Sequence, residues 1–501
     1  MFSIKLKISG LLRFVIVVLA ILAVVFYSFI EFEHPYIDPL SIILMLLFAI
    51  GMFVFSGRFS SKYPPAIIIT LLLILFVQFR TLILVVIPDS LLHSGYVTPE
   101  MFNTTLGYML FGSIACYLGL ALGYGNAGGL DPRAIAEESH SNDFSLKFLS
   151  YVFVFSLGLT LLAYFEFGYA GSTGSGENLG FFQRYVARFI YPAGWLMMFL
   201  SAYALYVNKP AQARVFTFIF FLYFASFFLA GSRAGIYELI ILILSYKIIF
   251  EGNFYFKLNG WGLFALISLI PISLILFNVA TQLRMQWYGS DHSVAFIIKS
   301  ALTSEFSFQE LVPMISGISY RLSFIEPTMF PIFFQELGFY DISELVNIKT
   351  TLLSAINRVI PGKLLGDILF TEYAYGFMYE PEGVLAYAES GRVDYVGYEW
   401  SMFGISYQLF GFLGGGMFIF GFTAFIGGII RAFNMWGGLY GWTGSIFFMT
   451  ILSIWVRNLG IDNLIDRTVH GLIFLFVNFA IYWLVMELLK LNNSRYRGAN
   501  S

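Results

Sequence analysis

Apolar and polar residues alternate along this chain in blocks rather than at helical or strand spacing. Runs of roughly 20 apolar residues, the length of helix that crosses a hydrocarbon core about 30 Å thick, recur from end to end. By that ruler twelve spans are predicted, near residues 11–30, 38–56, 65–87, 103–122, 147–165, 189–207, 213–230, 233–250, 260–280, 401–430, 439–457 and 469–489. The tenth is long enough to be tilted or to begin as an interfacial segment. The pattern therefore predicts an all-α polytopic membrane protein in three parts: nine spans over 1–280, a large loop over 281–400, and three spans with a tail over 401–501.

Composition agrees with the blocks. The chain is 58% hydrophobic and 12% charged, about half the charged share of a soluble domain. A net charge of −2 argues against nucleic acid as a partner. The single cysteine, Cys116, lies within an apolar run, which excludes an internal disulfide and any cysteine-built metal or redox cluster. The first apolar run follows Lys5, Lys7 and Arg13 and exceeds a signal-peptide core, so it reads as a retained span.

Lysine and arginine in the short loops set the expected orientation. The N-terminus, the loops with Arg58 and Lys62, Lys209 and Arg214, Lys247 and Lys257, and Arg431, and the tail with Lys490, Arg495 and Arg497 are basic. The loops between them carry Glu31, Glu33 and Asp38, or Asp89 and Glu100. Both termini are thus expected inside and residues 281–400 outside. Arg184 and Arg188 lie outside against that rule. The Gly- and Ser-rich stretch 123–146 reads as a flexible inside connector, and Gly171–Gly176, with no preceding strand, as an outside loop rather than a phosphate cradle. Asn103-Thr104-Thr105 fits a glycosylation sequon.

The large loop concentrates the chemistry. It holds 14 of the 30 acidic residues and seven basic ones, a local net charge of −7. Within it Ser343–Val359 has the spacing of an amphipathic helix, with Ser343 as cap, Leu345, Ile348, Leu352 and Ile356 on one face, and Pro361-Gly362 as stop. Such a helix is expected flat on the membrane surface or on the bundle top, with Arg358 and Lys363 at its end.

Four arginines then stand out as cations on the outward side. Arg80 lies inside the third span, where an arginine costs about 2.5–3.5 kcal/mol to insert and faces a cavity or a partner. It is either the floor of an outward pocket or half of an ion pair, with Glu238 or Glu166 as the candidate carboxylate. Arg233 begins a helix after the tight turn Gly231-Ser232-Arg233-Ala234-Gly235, where free N–H groups already favour an anion. Arg284 follows the ninth span, and Arg321 follows Tyr320 in the loop. His292 is the loop's one histidine and a candidate general base. Glu399, beside Trp400 at the mouth of the tenth span, is the other, because partial burial raises a carboxylate towards a base's working range. There is no HExxH and no dense Asp/His cluster, so no metal site is expected.

With its many spans, the outward Gly-Ser-Arg-Ala-Gly turn and one large late loop, the chain resembles the Wzy-type polymerases of O-antigen and oligosaccharide repeat units. Ile356-Asn357-Arg358-Val359-Ile360-Pro361-Gly362-Lys363 is similar to an Arg/Pro/Lys segment of that family, and Phe403-Gly404 through Phe410-Gly411-Phe412-Leu413-Gly414 to its aromatic, glycine-rich span. The resemblance implies a GT-C-like membrane enzyme of the bacterial inner membrane, its large loop periplasmic. It would transfer a glycan from undecaprenyl diphosphate to a sugar hydroxyl of another lipid-linked repeat unit, without cofactor and with a chain-length regulator as a further partner. Arginines (Arg284 and Arg321, with Arg80, Arg233 and Arg358) would stabilise the departing diphosphate in place of a metal. Glu399 or His292 would take the acceptor proton, and Tyr320 and Tyr398 would offer flat faces to the sugars. The alternatives are an O-antigen ligase acting on lipid A core, for which His292 and Arg284 would be the reactive pair, and a polysaccharide transporter or flippase.

Overall fold

The computed structural model describes residues 4–29, 34–59, 63, 65–91, 97–125, 255–258, 323–337, 347–359, 401–436 and 438–458, with single positions between 464 and 488. Contacts divide the chain into two units: 1–132, 226–354 and 367–462 form one, and 133–225, 355–366 and 463–501 the other. The elements that follow belong to the first, except that the end of one helix, from Ala355 on, falls in the second.

The order is β1 (Ile4–Lys7), α1 (Ile8–Phe29), α2 (Pro39–Phe59), α3 (Pro65–Leu73), a π-helical turn (Ile74–Gln78), α4 (Phe79–Val86), a 3-10 turn (Pro88–Ser90), α5 (Pro99–Tyr124), β2 (Tyr255–Leu258), α6 (Ile325–Leu337), α7 (Ile348–Val359), α8 (Met402–Trp436) and α9 (Gly438–Asn458). Among the described residues five helical stretches are long and apolar enough to cross a membrane: Ser9–Phe29, Pro39–Gly57, Pro65–Val86, Pro99–Tyr124 and Met402–Trp436. They coincide within a few residues with the first four predicted spans and the tenth, and α9 with the eleventh. The spans expected at 147–165, 189–207, 213–230, 233–250 and 260–280 lie outside the described residues, as does most of 469–489.

The stretch Pro65–Val86 is the most enclosed of the five and Ser9–Phe29 the least. α5 packs most extensively on α8, and the reason is the small residues where they meet. Gly119 and Gly123 lie four apart on α5, and a Cβ on either would collide with the backbone carbonyl of Phe420 or Ala424 on α8. Polar side chains inside the bundle are paired across helices: Thr70 with Tyr117 at 2.6 Å, Asn434 Nδ2 donating to the Tyr124 hydroxyl at 2.8 Å, and Ser445 donating to Asn434. α8 is long because two helices meet at Gly411, whose φ of 68° and ψ of −168° lie outside the helical region. A left-handed φ is open to glycine at little cost, so a short first segment, 402–410, precedes the long one.

The small two-stranded ribbon is antiparallel, with Lys5 opposite Lys257. It holds the N-terminus beside residues 255–258, so both lie on one side of any membrane the chain crosses.

One motif and one sequence expectation are revised here. The sequon asparagine is not available to a glycan. Asn103 is buried within α5, its Nδ2 donating to both Asp38 carboxylate oxygens (3.1 and 3.0 Å) and its Oδ1 accepting from Ser41 Oγ at 2.7 Å. The amphipathic helix of the loop starts at Ile348 rather than after Ser343. Asn347 caps it: its Oδ1 accepts from the Thr350 N–H at 2.9 Å, and Thr350 Oγ1 accepts from the Asn347 N–H at 3.1 Å, a reciprocal pair that satisfies two end donors. Thr351 and Ala355 are buried, whereas Ile348, Leu352 and Ile356 stand about half exposed in a stripe. A half-exposed apolar stripe of this kind is the amphipathic face that the spacing predicted.

Candidate functional site

The third span carries its arginine just past a defect in the helix. The π-helical turn Ile74–Gln78 closes with the Phe79 N–H bonded to the Ile74 carbonyl. One inserted residue turns everything after it by about 100°, and so sets the face on which Arg80 lies. Arg80 is fully buried and ion-paired with Glu326, also fully buried. Its Nε donates to Glu326 Oε1 at 2.9 Å and Nη2 donates to the same oxygen. Nη2 also donates to the Ser90 carbonyl at 2.6 Å, and Nη1 to Ser90 Oγ at 3.3 Å. Glu326 was not among the carboxylates expected for it; Glu238 and Glu166 lie outside the described residues. Glu326 Oε2 is buried with no hydrogen-bond partner.

Glu326 is delivered by the first turn of α6. Ser323-Phe324-Ile325-Glu326 has the Ser-x-x-Glu spacing of a helix start, and Ser323 Oγ accepts from the Ile325 N–H at 2.9 Å. The Phe324 N–H donates to the Phe76 carbonyl at 3.0 Å, and the two rings stack with centroids 4.6 Å apart. A carboxylate in a helix's first turn is favoured by the dipole. Removing either member of such a pair strands a buried charge, so this contact fixes α6 to α4.

The start of α8 joins the same junction. Ser401 Oγ accepts from the Gly404 N–H at 3.2 Å and shares a hydrogen bond of 3.1 Å with Thr328 of α6. Phe403 meets Phe324 with ring centroids 5.9 Å apart. Three chain segments distant in sequence, around residues 76–90, 323–328 and 401–404, thus enter one buried polar knot.

The 34–38 loop seals its margin. Tyr36 is buried and donates to the Pro88 carbonyl at 2.7 Å. Burial first, and then the negative charges of Glu326 and Asp89 against the opposing Arg80, push its phenol far above the usual range, so it is a neutral donor. His34 accepts at Nδ1 from the Ile37 N–H at 3.1 Å, which puts its proton on Nε2, 3.0 Å from the Leu84 carbonyl. Burial pushes its pKa below the ordinary value, and the Leu84 hydrogen bond only partly opposes this. Burial would raise Asp38, but donors from Ser41, Asn103 and the Leu40 N–H outweigh it and hold its carboxyl below the usual range.

Of the residues proposed from sequence, Arg80 is the one whose side chain is described. Arg358 lies in α7 with its backbone alone described. Glu399, His292, Arg284, Arg321, Arg233, Tyr320 and Tyr398 lie outside the described residues. Glu326, Ser90, His34 and Tyr36 carry the junction without having been singled out. The Ser-x-x-Glu start and the isolation of Glu326 in an apolar stretch are the signals that mark it. Among the described residues no group of three or more His, Cys, Asp or Glu is placed to hold a metal ion.

No family model, no curated protein and no solved structure matches the chain.

Proposed function

We propose that this protein is a membrane polymerase of lipid-linked glycans. It would transfer an oligosaccharide from undecaprenyl diphosphate to a sugar hydroxyl of a second lipid-linked unit, on the outer face of the bacterial inner membrane, within a bundle of about 12 spans. The observation that carries the reading is the junction itself. Arg321 lies two residues before Ser323, and Glu399 two residues before Ser401, and both following segments enter the knot around Arg80. A residue spans at most about 3.6 Å of chain, so the leash from that knot to a candidate cation and to a candidate base is short.

Arg80 then has a different part from the one its position suggests. Its charge is neutralised by Glu326, so it anchors the site from beneath. Stabilising the leaving diphosphate falls to Arg233, Arg284 and Arg321, whose charge holds at any relevant pH. Glu399 or His292 takes the acceptor proton, and Tyr320 and Tyr398 flank the sugars. The apolar stripe of α7 keeps the loop at the membrane, where the donor's headgroup emerges.

The test is a surface-polysaccharide gel from a deletion strain complemented with Arg321→Ala or Glu399→Gln at matched membrane expression. Loss of the long-chain ladder with lipid A core still capped by single units is expected. An unchanged ladder for both variants overturns the reading, and loss of all capping transfers it to a ligase.

A further inference from the structure

α1 and α2 lie side by side and leave between them a groove of about 470 Å³ that opens outward, within the range of about 300–1,000 Å³ common for ligand clefts. Its walls are apolar throughout, from Ile16 to Val25 on α1 and from Leu46 to Phe53 on α2. Ten residues of helix, nine rises of about 1.5 Å, make it about 13 Å long. Alanines at Ala20 and Ala49 form its floor, which is why two helices of bulky residues leave space there.

The groove ends on a cation. Arg13 is one turn before Ile16 and Val17 on the same face of α1, and its guanidinium lies 5.1 Å from the centroid of the Phe53 ring. Gly57, one turn beyond Phe53 on α2, gives it room: a Cβ there would coincide with the guanidinium. Arg13 has no carboxylate and no hydrogen-bond partner among the described residues, and its Nε is buried unsatisfied. An uncompensated arginine within an apolar helix is costly, and an aromatic face offsets part of that cost. What the site lacks is an anion, and what lies next to the cation is a slot for a hydrocarbon chain.

We propose that the α1–α2 groove is a resident site for one anionic phospholipid, with an acyl chain along Ile16–Val25 and the phosphate on Arg13. The site is separate from the junction at Arg80. That knot lies with the 34–38 loop at the other end of α1, and Arg13 to Phe29 spans about 24 Å of helix. The lipid therefore belongs to the opposite leaflet from the proposed donor.

The experiment uses the full-length protein in mild detergent with phosphatidylglycerol or phosphatidylcholine of identical acyl chains, and native mass spectrometry counts retained lipids. One phosphatidylglycerol should be retained in preference. Arg13→Gln should lower that retention about fivefold, the worth of one basic group near an anionic surface, to the level of phosphatidylcholine. Ala49→Phe, which fills the groove, should lower retention of both lipids. Equal retention of the two lipids by the parent protein, or phosphatidylglycerol retention unaffected by both substitutions, overturns the proposal. So does a dimer of the chain that Ala49→Phe dissociates, since the groove would then be filled by a second copy. A readout free of substitutions is the unfolding temperature of the parent protein, followed by a dye reacting with Cys116, its single and buried cysteine. Phosphatidylglycerol should raise it and phosphatidylcholine should not; no difference between them counts against the site.

Discussion

Glu326→Leu removes the carboxylate that Arg80 pairs with on α6 and leaves the guanidinium buried. Breaking a buried pair in this way costs about 3–5 kcal/mol. The geometry places this variant near the lower end, because Arg80 keeps its two hydrogen bonds to Ser90. Arg80→Met belongs near the upper end. Glu326 Oε1 then loses both its donors, and Oε2 has none to begin with. The double variant removes both charges and fills the space with apolar side chains, which is commonly neutral or better. It should unfold within about 1 kcal/mol of the parent protein, far from the sum of the two single losses. The assay is thermal unfolding in detergent, read by the exposure of Cys116, which is buried in α5 and becomes reactive only when the bundle opens. A double variant as unstable as that sum, or a pair of single variants indistinguishable from the parent, refutes the claim that this pair fixes α6 to α4.

Three further outcomes are expected. Gly123→Leu should force α5 off α8, at a cost of about 1–3 kcal/mol or more, seen as a lower unfolding temperature, while the same change at Gly107, where a Cβ meets nothing within 4 Å, should be tolerated. His34 is held neutral with its pKa lowered from 6.5, so the unfolded chain binds more protons below that value and stability falls as pH drops from about 6.5 through the lowered folded value; His34→Gln should flatten that slope in melts taken across the range. Arg321→Lys should shorten the polymer ladder less than Arg321→Ala, because the charge survives while the two-pronged geometry does not, and Arg133→Ala should leave the ladder unchanged.

Long apolar runs made α1, α2, the α3–α4 span, α5, α8 and α9 legible, because the length of an uninterrupted run is itself the physical requirement for crossing a bilayer. What periodicity does not encode is where a run is broken. The π-helical turn before Arg80 and the reversal at Gly411 each hinge on one residue's backbone, and both fall within stretches that read as continuous. The partner of Arg80 was hidden for another reason. An inserted arginine announces that it needs a carboxylate, but Glu326 is 246 residues away in the chain, and nothing local connects them. The helix start at Asn347 rather than Ser343 reflects two residues of nearly equal capping strength, decided by the reciprocal partner Thr350. Asn103 matched a sequon by composition alone, and its burial followed from Asp38 and Ser41 facing it.

The separation of Arg80 from Glu326 also sets a timetable for making the protein. A ribosome adding about 5–20 residues per second takes about 12–50 s to get from one to the other. Through that interval the third span waits in or beside the membrane without Glu326 at its arginine. The ion pair that ties α6 to α4 therefore cannot close until about two-thirds of the chain has been synthesised, and the packing of α8 on α5 comes later still.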